Sequence, residues 1–384
     1  MRRIYLDHAA TTPVAKEVLE AMMPYFSEKF GNASSLHSFG REARDAVENS
    51  REKISRKLNA KEHKVIFTSG GTEANNLALK GVAFANKEKG KHIITTKIEH
   101  DCVLNACRWL EKNGFEVTYL NVDKEGFIDL NELENAIRDD TIIVSIMHAN
   151  NEIGTIADLK SIGKICREKG VYFHSDACQS FCKVPIDLKQ LPVDLLTINA
   201  HKIYGPKGVG ALVIREGVKI DPLLHGGGHE LGLRSGTENV PGIVGFAKAI
   251  DIIKEKDVEH MKRLRDMLIE GFSAIEESWL NGPKGDKRLC NNVNFTFRFV
   301  EGESLLLYLD SKGIAASTGS ACSTRAIEPS HVLTAIGLSA ADARSSLRFS
   351  VGKDNTEEEI KYVIDAVKEG VENLRRISPL AKNE

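Results

Sequence analysis

The sequence predicts an α/β fold: a mostly parallel sheet covered by helices, with a smaller α+β unit toward the C-terminal end. Three observations carry that expectation. From about residue 64, short apolar runs alternate with amphipathic stretches. The runs are rich in β-branched residues and little interrupted by polar ones, as strands buried on both faces require. After "SGTENVPG" the alternation stops and a long helical stretch leads into a different pattern.

In chain order, "KVIFTSGG" reads as a buried strand and "TEANNLALKGVAFANKEKG" as the helix after it. "KHIITT" is a strand, "DCVLNACRWLEKNG" has helical spacing, and "FEVTYLNV" is a strand again. A short helix falls in "DLNELENAI", then "TIIVSIMHAN" is a strand and "DLKSIGKICREKG" a helix ending at Gly170. "VYFHSD", "DLLTIN" and "GALVI" complete the series of strands. Residues 241–278 read as one long, nearly uninterrupted helix, with Pro241 suited to its first turn. Strands follow near "NNVNFTF" and "SSLRFSV", and an amphipathic helix runs from about Thr356 to Leu374.

Bulk properties narrow the function. The 384 residues carry 52 basic and 54 acidic side chains, a formal net charge of -2. That balance gives no electrostatic reason to bind nucleic acid or a membrane surface. Asp7 and His8 break any apolar run behind Arg2 and Arg3, and nothing approaches the roughly 18 apolar residues of a membrane span. A cytoplasmic protein is expected. The cysteine count is seven, with no C-x-x-C pair, so neither a disulfide framework nor a zinc finger is expected, and no metal. Most of these thiols should be small buried hydrophobes.

Sheets of this kind bind ligands at the C-terminal ends of their strands, so polar residues there carry the functional argument. Gly70-Gly71-Thr72 lies between a strand and a helix, where free amides and the helix dipole favour an anion. The alternative is a plain turn capped by Thr72, with Asn75 and Asn76 as solvated helix residues. Asp176 ends an apolar strand and should face a cation or a cleft, unless it caps the following turn. Lys202 follows "DLLTIN" in a Gly- and Pro-rich turn, where neighbouring cations could make its amine a nucleophile, although most lysines are surface residues. His201 beside it could be a satisfied core histidine. An anion cup, an aspartate and a lysine, in that order on one sheet, are what pyridoxal phosphate needs: a phosphate to hold, a ring nitrogen to keep protonated and an aldehyde to capture.

The stretch "ASTGSACSTR" adds a thiol, Cys322, among residues that favour turns and exposed loops. With "YLDHAATTP", "SGGTEANN", "EHDCV", "HANNEIG", "DACQS", "AHKIYGPKG", "HGGGHE", "RSGTENV", "GSACSTR" and "SSLRFSVG", the chain resembles, nearly end to end, the NifS-like cysteine desulfurases of the class-V aminotransferase group, fold type I of the pyridoxal phosphate enzymes. The resemblance implies a large cofactor-binding domain over residues 15–255. It also implies a small domain, residues 1–14 and 256–384, carrying the thiol loop at about 316–328. It implies that Lys202 is the Schiff-base lysine and acid/base, that Asp176 pairs with the ring nitrogen, and that Gln179 bonds the ring hydroxyl. Gly71, Thr72 and His201 would hold the phosphate, with Thr237 reaching the phosphate of a neighbouring subunit in a homodimer with shared sites. His100 would stack on the ring and move protons; Asn151 and Arg348 would hold the substrate carboxylate. Cys322 would take sulfur from L-cysteine as a persulfide, leaving L-alanine, and pass it to an acceptor such as an Fe–S scaffold or a tRNA-thiolation relay. A free thiol is only a few per cent ionised at neutral pH, so a base is needed, and His100 is the candidate.

Three positions depart from the family pattern. Asn199 stands where Ser is expected, and its amide could still donate to the phosphate. "GNASS" lacks a Pro after Asn, and "STR" follows Cys322 where "TS" is commoner. A selenocysteine lyase or an aminotransferase of the same fold is the nearest alternative. A catalytically silent scaffold would be expected to have lost Lys202, Asp176 or Cys322, and all three are present.

Overall fold

The strands expected from the apolar runs form one sheet in the computed structural model, which describes residues 3–318 and 329–377. β1 is Ile4–Tyr5, β2 His63–Thr68, β3 His92–Thr96, β4 Glu116–Leu120, β5 Thr141–Ser145 and β6 Tyr172–Asp176. β7 is Leu195–Asn199, β8 Gly210–Arg215, β9 Ser278–Leu280, β10 Asn292–Phe297, β11 Ile314–Ala315 and β12 Ser346–Ser350. The main sheet has seven strands in the order β2-β8-β7-β6-β5-β3-β4. β3 to β7 run parallel, and β8 runs against both its neighbours. The C-terminal ends of β2, β3, β5, β6 and β7 therefore share one edge, which gathers the polar residues that follow each strand.

Both faces of the sheet are covered. Along β2, Val65 and Phe67 join one apolar cluster while Ile66 joins the other. Period-two alternation between two apolar environments explains why such a strand reads as a continuous apolar run. The flanking helices start on local caps. Asp158 accepts the backbone N–H groups of Lys160 and Ser161 for the helix Leu159–Glu168, and His100 Nδ1 accepts that of Cys102 for the helix Asp101–Glu111.

A second, three-stranded antiparallel sheet has the order β12-β10-β9. The helices Glu255–Ser273 and Glu357–Ile377 pack with it around Phe272, whose ring centroid lies 5.0 Å from that of Phe349 and 5.6 Å from that of Phe295. The chain start joins this unit: β1 pairs in parallel with β11, and Ile4 and Leu6 enter the same core.

The single long helix expected over 241–278 is corrected to two. One spans Val240–Ala249 and the other Glu255–Ser273. The second starts anew because the Asp257 carboxylate accepts the backbone N–H of Lys254 at 2.8 Å, half of a capping box with an unconventional residue at its head. No helix among the described residues is long and apolar enough to cross a membrane.

Candidate active site

Asp176 ends β6 and is buried. Its Oδ1 accepts the Cys178 backbone N–H at 2.8 Å and its Oδ2 accepts the Asn75 side-chain amide at 2.6 Å. The capping role weighed for this aspartate is thus present. Lys202 follows the end of β7, is half-buried and donates no side-chain hydrogen bond among the described residues. Its ammonium acts on His100, Cys102 and Cys178, and the Asp176 carboxylate acts on the same three groups with opposite sign. The two residues therefore lie close to one set of neighbours.

His100 is one of these neighbours. Burial, then the Lys202 charge, hold its imidazole below the usual histidine range, so the ring is neutral at pH 7. Its Nδ1 accepts from Cys102 N at 3.2 Å and lies 3.1 Å from the Cys102 thiol, which puts the ring proton on Nε2. The Cys102 thiol is pushed up to about 12 by burial and by Asp176, so it stays protonated.

Gly71 opens the helix after β2. A Cβ there would come within 2.6 Å of Cys178 Sγ and 3.5 Å of Asn199 Nδ2, so only glycine permits this approach. Thr72 is exposed beside it. His201 Nδ1 lies 3.2 Å from Thr11 Oγ1, and burial with the charges of Lys202, Lys207 and Lys183 drives its ring down to about 4. A neutral histidine among three lysines marks positive potential. Thr237 lies on an exposed loop tied back through Arg234 to Glu73 at 2.8 Å, and it makes no side-chain hydrogen bond of its own among the described residues.

Arg348 on β12 and Asn151 beyond β5 meet from the two sheets: Nη1 donates to Asn151 O at 3.1 Å. Arg348 is buried, its Nη2 donates to Asp7 Oδ1 at 2.8 Å, and its Nε has no partner. Cys322 lies outside the described residues. On its N-terminal side Ser317 exchanges backbone hydrogen bonds with Arg348, at 3.0 and 2.7 Å. On its C-terminal side Ser330 donates to Glu152 at 2.5 Å, next to Asn151.

The segment Asp7–Thr12 was not foreseen as part of the site. It lies across it: Asp7 holds Arg348, Ala9 O accepts from Gln179 Nε2 at 2.9 Å, and the Thr12 hydroxyl donates to His201 O at 2.8 Å. The polar run in "LDHAATTP", with no apolar period of its own, was its signal. Asn75 was also missed; it is fully buried on Asp176 instead of solvated.

Comparison with known proteins completes the assignment. The family model of class-V aminotransferases matches residues 4–363, and the chain belongs to that family. It is 55% identical over 382 residues to the cysteine desulfurase IscS of Dictyoglomus turgidum, covering 98% of this chain and 97% of that one. The same enzyme of Methanosarcina thermophila is 55% identical over 386 residues, covering 100% and 95%. Among solved structures, a NifS-like protein superposes with a TM-score of 0.91 at 40% identity, covering 97% of this chain and 100% of that one. Within the class-V family, the chain belongs to the IscS-type cysteine desulfurases.

These families depend on pyridoxal 5'-phosphate, and the residues present fit it. Gln179 Oε1, Asn199 Oδ1 and Asn75 Oδ1 are buried polar atoms without partners, which a bound polar group would satisfy. The close approach at Gly71 and the lysines around His201 suit a phosphate.

Proposed function

We propose that the chain removes the sulfur of L-cysteine, releases L-alanine and retains the sulfur as a persulfide on Cys322. The carbon–sulfur bond of the substrate breaks and a sulfur–sulfur bond forms on Cys322. All atoms and electrons of the reactants are kept, so no outside oxidant enters. Bound pyridoxal 5'-phosphate supplies the electron sink that lets the Cα proton leave.

The convergence of Lys202 and Asp176 on one set of neighbours carries this reading. In it, Lys202 anchors the cofactor and moves the Cα proton, and Asp176 keeps the ring nitrogen protonated. Gln179 accepts from the ring hydroxyl through Oε1, and Gly71, Thr72, Asn199 and His201 hold the phosphate end. Asn151 and Arg348 orient the substrate carboxylate, a task suited to the two-pronged donor face of arginine. His100 stacks on the ring and meets the substrate as a proton donor through Nε2. It can accept the Cys322 proton once its own has been passed on.

The division into residues 15–255 and residues 1–14 with 256–384 is supported by the separate apolar core around Phe272. A homodimer is supported by the exposed apolar side chains of Met23, Phe26, Phe30, Leu36 and Phe39, and by the outward position of Thr237. A cytoplasmic setting is supported by the free thiols at Cys102, Cys107, Cys166, Cys178, Cys182 and Cys290. The sulfur acceptor is read as an Fe–S cluster scaffold, in keeping with the IscS relatives.

The decisive experiment is Cys322→Ala. It should abolish sulfide release from L-cysteine while leaving the visible cofactor band, and mass spectrometry of the parent after L-cysteine should show one extra sulfur on Cys322. Sulfide release by the variant at the parent rate would overturn the assignment.

A further inference from the structure

Cys322 stands five residues after Ser317 and eight before Ser330. Each residue spans at most about 3.6 Å, so a segment this short cannot place its middle independently of its ends. Both ends are buried and held. Ser317 is locked to Arg348 by a pair of backbone hydrogen bonds. Ser330 is held through its side chain. Its Oγ accepts the Leu333 N–H at 3.2 Å, capping the helix His331–Ala335. Its own hydrogen goes to Glu152 Oε2 at 2.5 Å.

Glu152 is only 3% exposed and directly follows Asn151. Its N–H donates to Asn150 Oδ1 at 2.8 Å and its carbonyl accepts from Asn292 Nδ2 at 3.0 Å, so its backbone is fixed from both sides. A plain helix cap would need no acid behind it, and burying one is costly unless it is paired. The next residue makes a second tie. His331 Nε2 lies 2.9 Å from Glu99 O; a carbonyl only accepts, so Nε2 carries the proton and donates. Val332, Leu333 and Ile336 complete the grip by packing with Ile98 and Ile153 in a small apolar cluster of their own. One five-residue helix thus holds the turn of His100 and the turn of Asn151 together, and it starts where the thiol segment ends.

Resting on the desulfurase reading above, we propose that Glu152, Ser330 and His331 are positioning residues for sulfur transfer. They hold the trailing end of the thiol segment against the two turns that carry His100 and Asn151. Their contribution falls on the step in which Cys322 takes the sulfur, and not on cofactor retention or removal of the Cα proton.

The test uses the purified holoenzyme and two readouts. Rapid quenching after mixing with L-cysteine, followed by mass spectrometry, gives the rate at which Cys322 gains sulfur. Deuterium exchange at Cα of L-alanine in heavy water needs Lys202 and the carboxylate clamp but no thiol. Ser330→Ala and Glu152→Leu should each slow sulfur gain about tenfold or more, as small misplacements of reacting groups do, and leave exchange within about threefold of the parent. His331→Ala should act in the same direction. Ser330→Thr, which keeps the hydroxyl, and His331→Gln, which keeps a donor, should restore most of the rate. The assignment is overturned if either Ser330→Ala or Glu152→Leu gains sulfur at the parent rate. It is equally overturned if exchange falls as far as sulfur gain, the mark of a merely structural loss. If Glu152→Leu does not fold, the serine pair decides alone: Ser330→Thr no faster than Ser330→Ala overturns the assignment. Cys322→Ala, run beside them, separates the two questions. Sulfide release by Cys322→Ala at the parent rate would sink the desulfurase reading itself. An inert Cys322→Ala beside a Ser330→Ala at the parent rate would sink only the positioning role.

Discussion

Asn75 and Asp176 are joined at 2.6 Å, an amide from the first helix after β2 reaching the carboxylate at the end of β6. The bond spans two strand ends of the main sheet and fixes the buried acid, whose charge acts on the same neighbours as that of Lys202. A hydrogen bond to a charged group contributes about 1.5–3 kcal/mol. Asn75→Ala should therefore weaken retention of the cofactor by about tenfold or more. Titration of the apoprotein with pyridoxal 5'-phosphate, followed in the visible band, measures this; unchanged affinity would remove Asn75 from the site.

Gly71→Ala should lose cofactor and stability together, because the added methyl meets Cys178 Sγ at 2.6 Å. Overpacking of this kind costs about 1–3 kcal/mol. Adding Cys178→Ala should restore much of the loss, as seen in denaturant midpoints. A double variant no more stable than Gly71→Ala alone would show that the contact is not the cause.

Arg348→Lys keeps the charge and removes the two-pronged donor face. It also leaves Asp7 with a weaker partner than the present 2.8 Å ion pair. KM for L-cysteine should rise about tenfold or more while the cofactor spectrum holds, the pattern of a carboxylate clamp. A fall in kcat with unchanged KM would place Arg348 elsewhere in the reaction.

Cys102 lies within 3.1 Å of His100, yet its thiol is held protonated by burial and by Asp176. Cys102→Ser should keep sulfide release within about threefold of the parent, whereas Cys322→Ala abolishes it. Persulfide recovered on Cys102 by mass spectrometry would contradict this division of labour.

Glu99 makes stability depend on pH in a defined direction. Its carboxyl is raised from 4.5 to about 8 in the folded chain, so the fold favours the neutral acid. Below the unfolded value that preference contributes fully. As pH rises toward and through 8 it is lost, because the unfolded chain has released the proton that the folded one must still give up. The parent's Tm should fall from pH 6 to pH 9 more steeply than that of Glu99→Gln. Parallel curves would show that Glu99 is ionised in the fold.

What could be read without coordinates followed from local physics. A β-branched run such as "TIIVS" reports a doubly covered strand, and an acid or lysine stranded at the end of one, like Asp176 or Lys202, reports a cleft. The break before Glu255 escaped because no Gly, Pro or Ser marks it; the cap is a lysine amide bonded by Asp257. Asn75 escaped because an asparagine on a helix looks solvated until a partner 101 residues away is known. The strip Asp7–Thr12 escaped for the same reason, its partners lying far along the chain.

That strip has a consequence for the order of events in the cell. Asp7 meets Arg348 across 341 residues. A nascent chain that has already built the seven-stranded sheet cannot close the Asp7–Arg348 pair until β12 emerges and docks beside Asp7. On the roles proposed for Arg348 and Lys202, vitamin capture and substrate recognition are then separable in biosynthesis, and a bulky fusion placed hard against Arg3 would be expected to hinder the second more than the first.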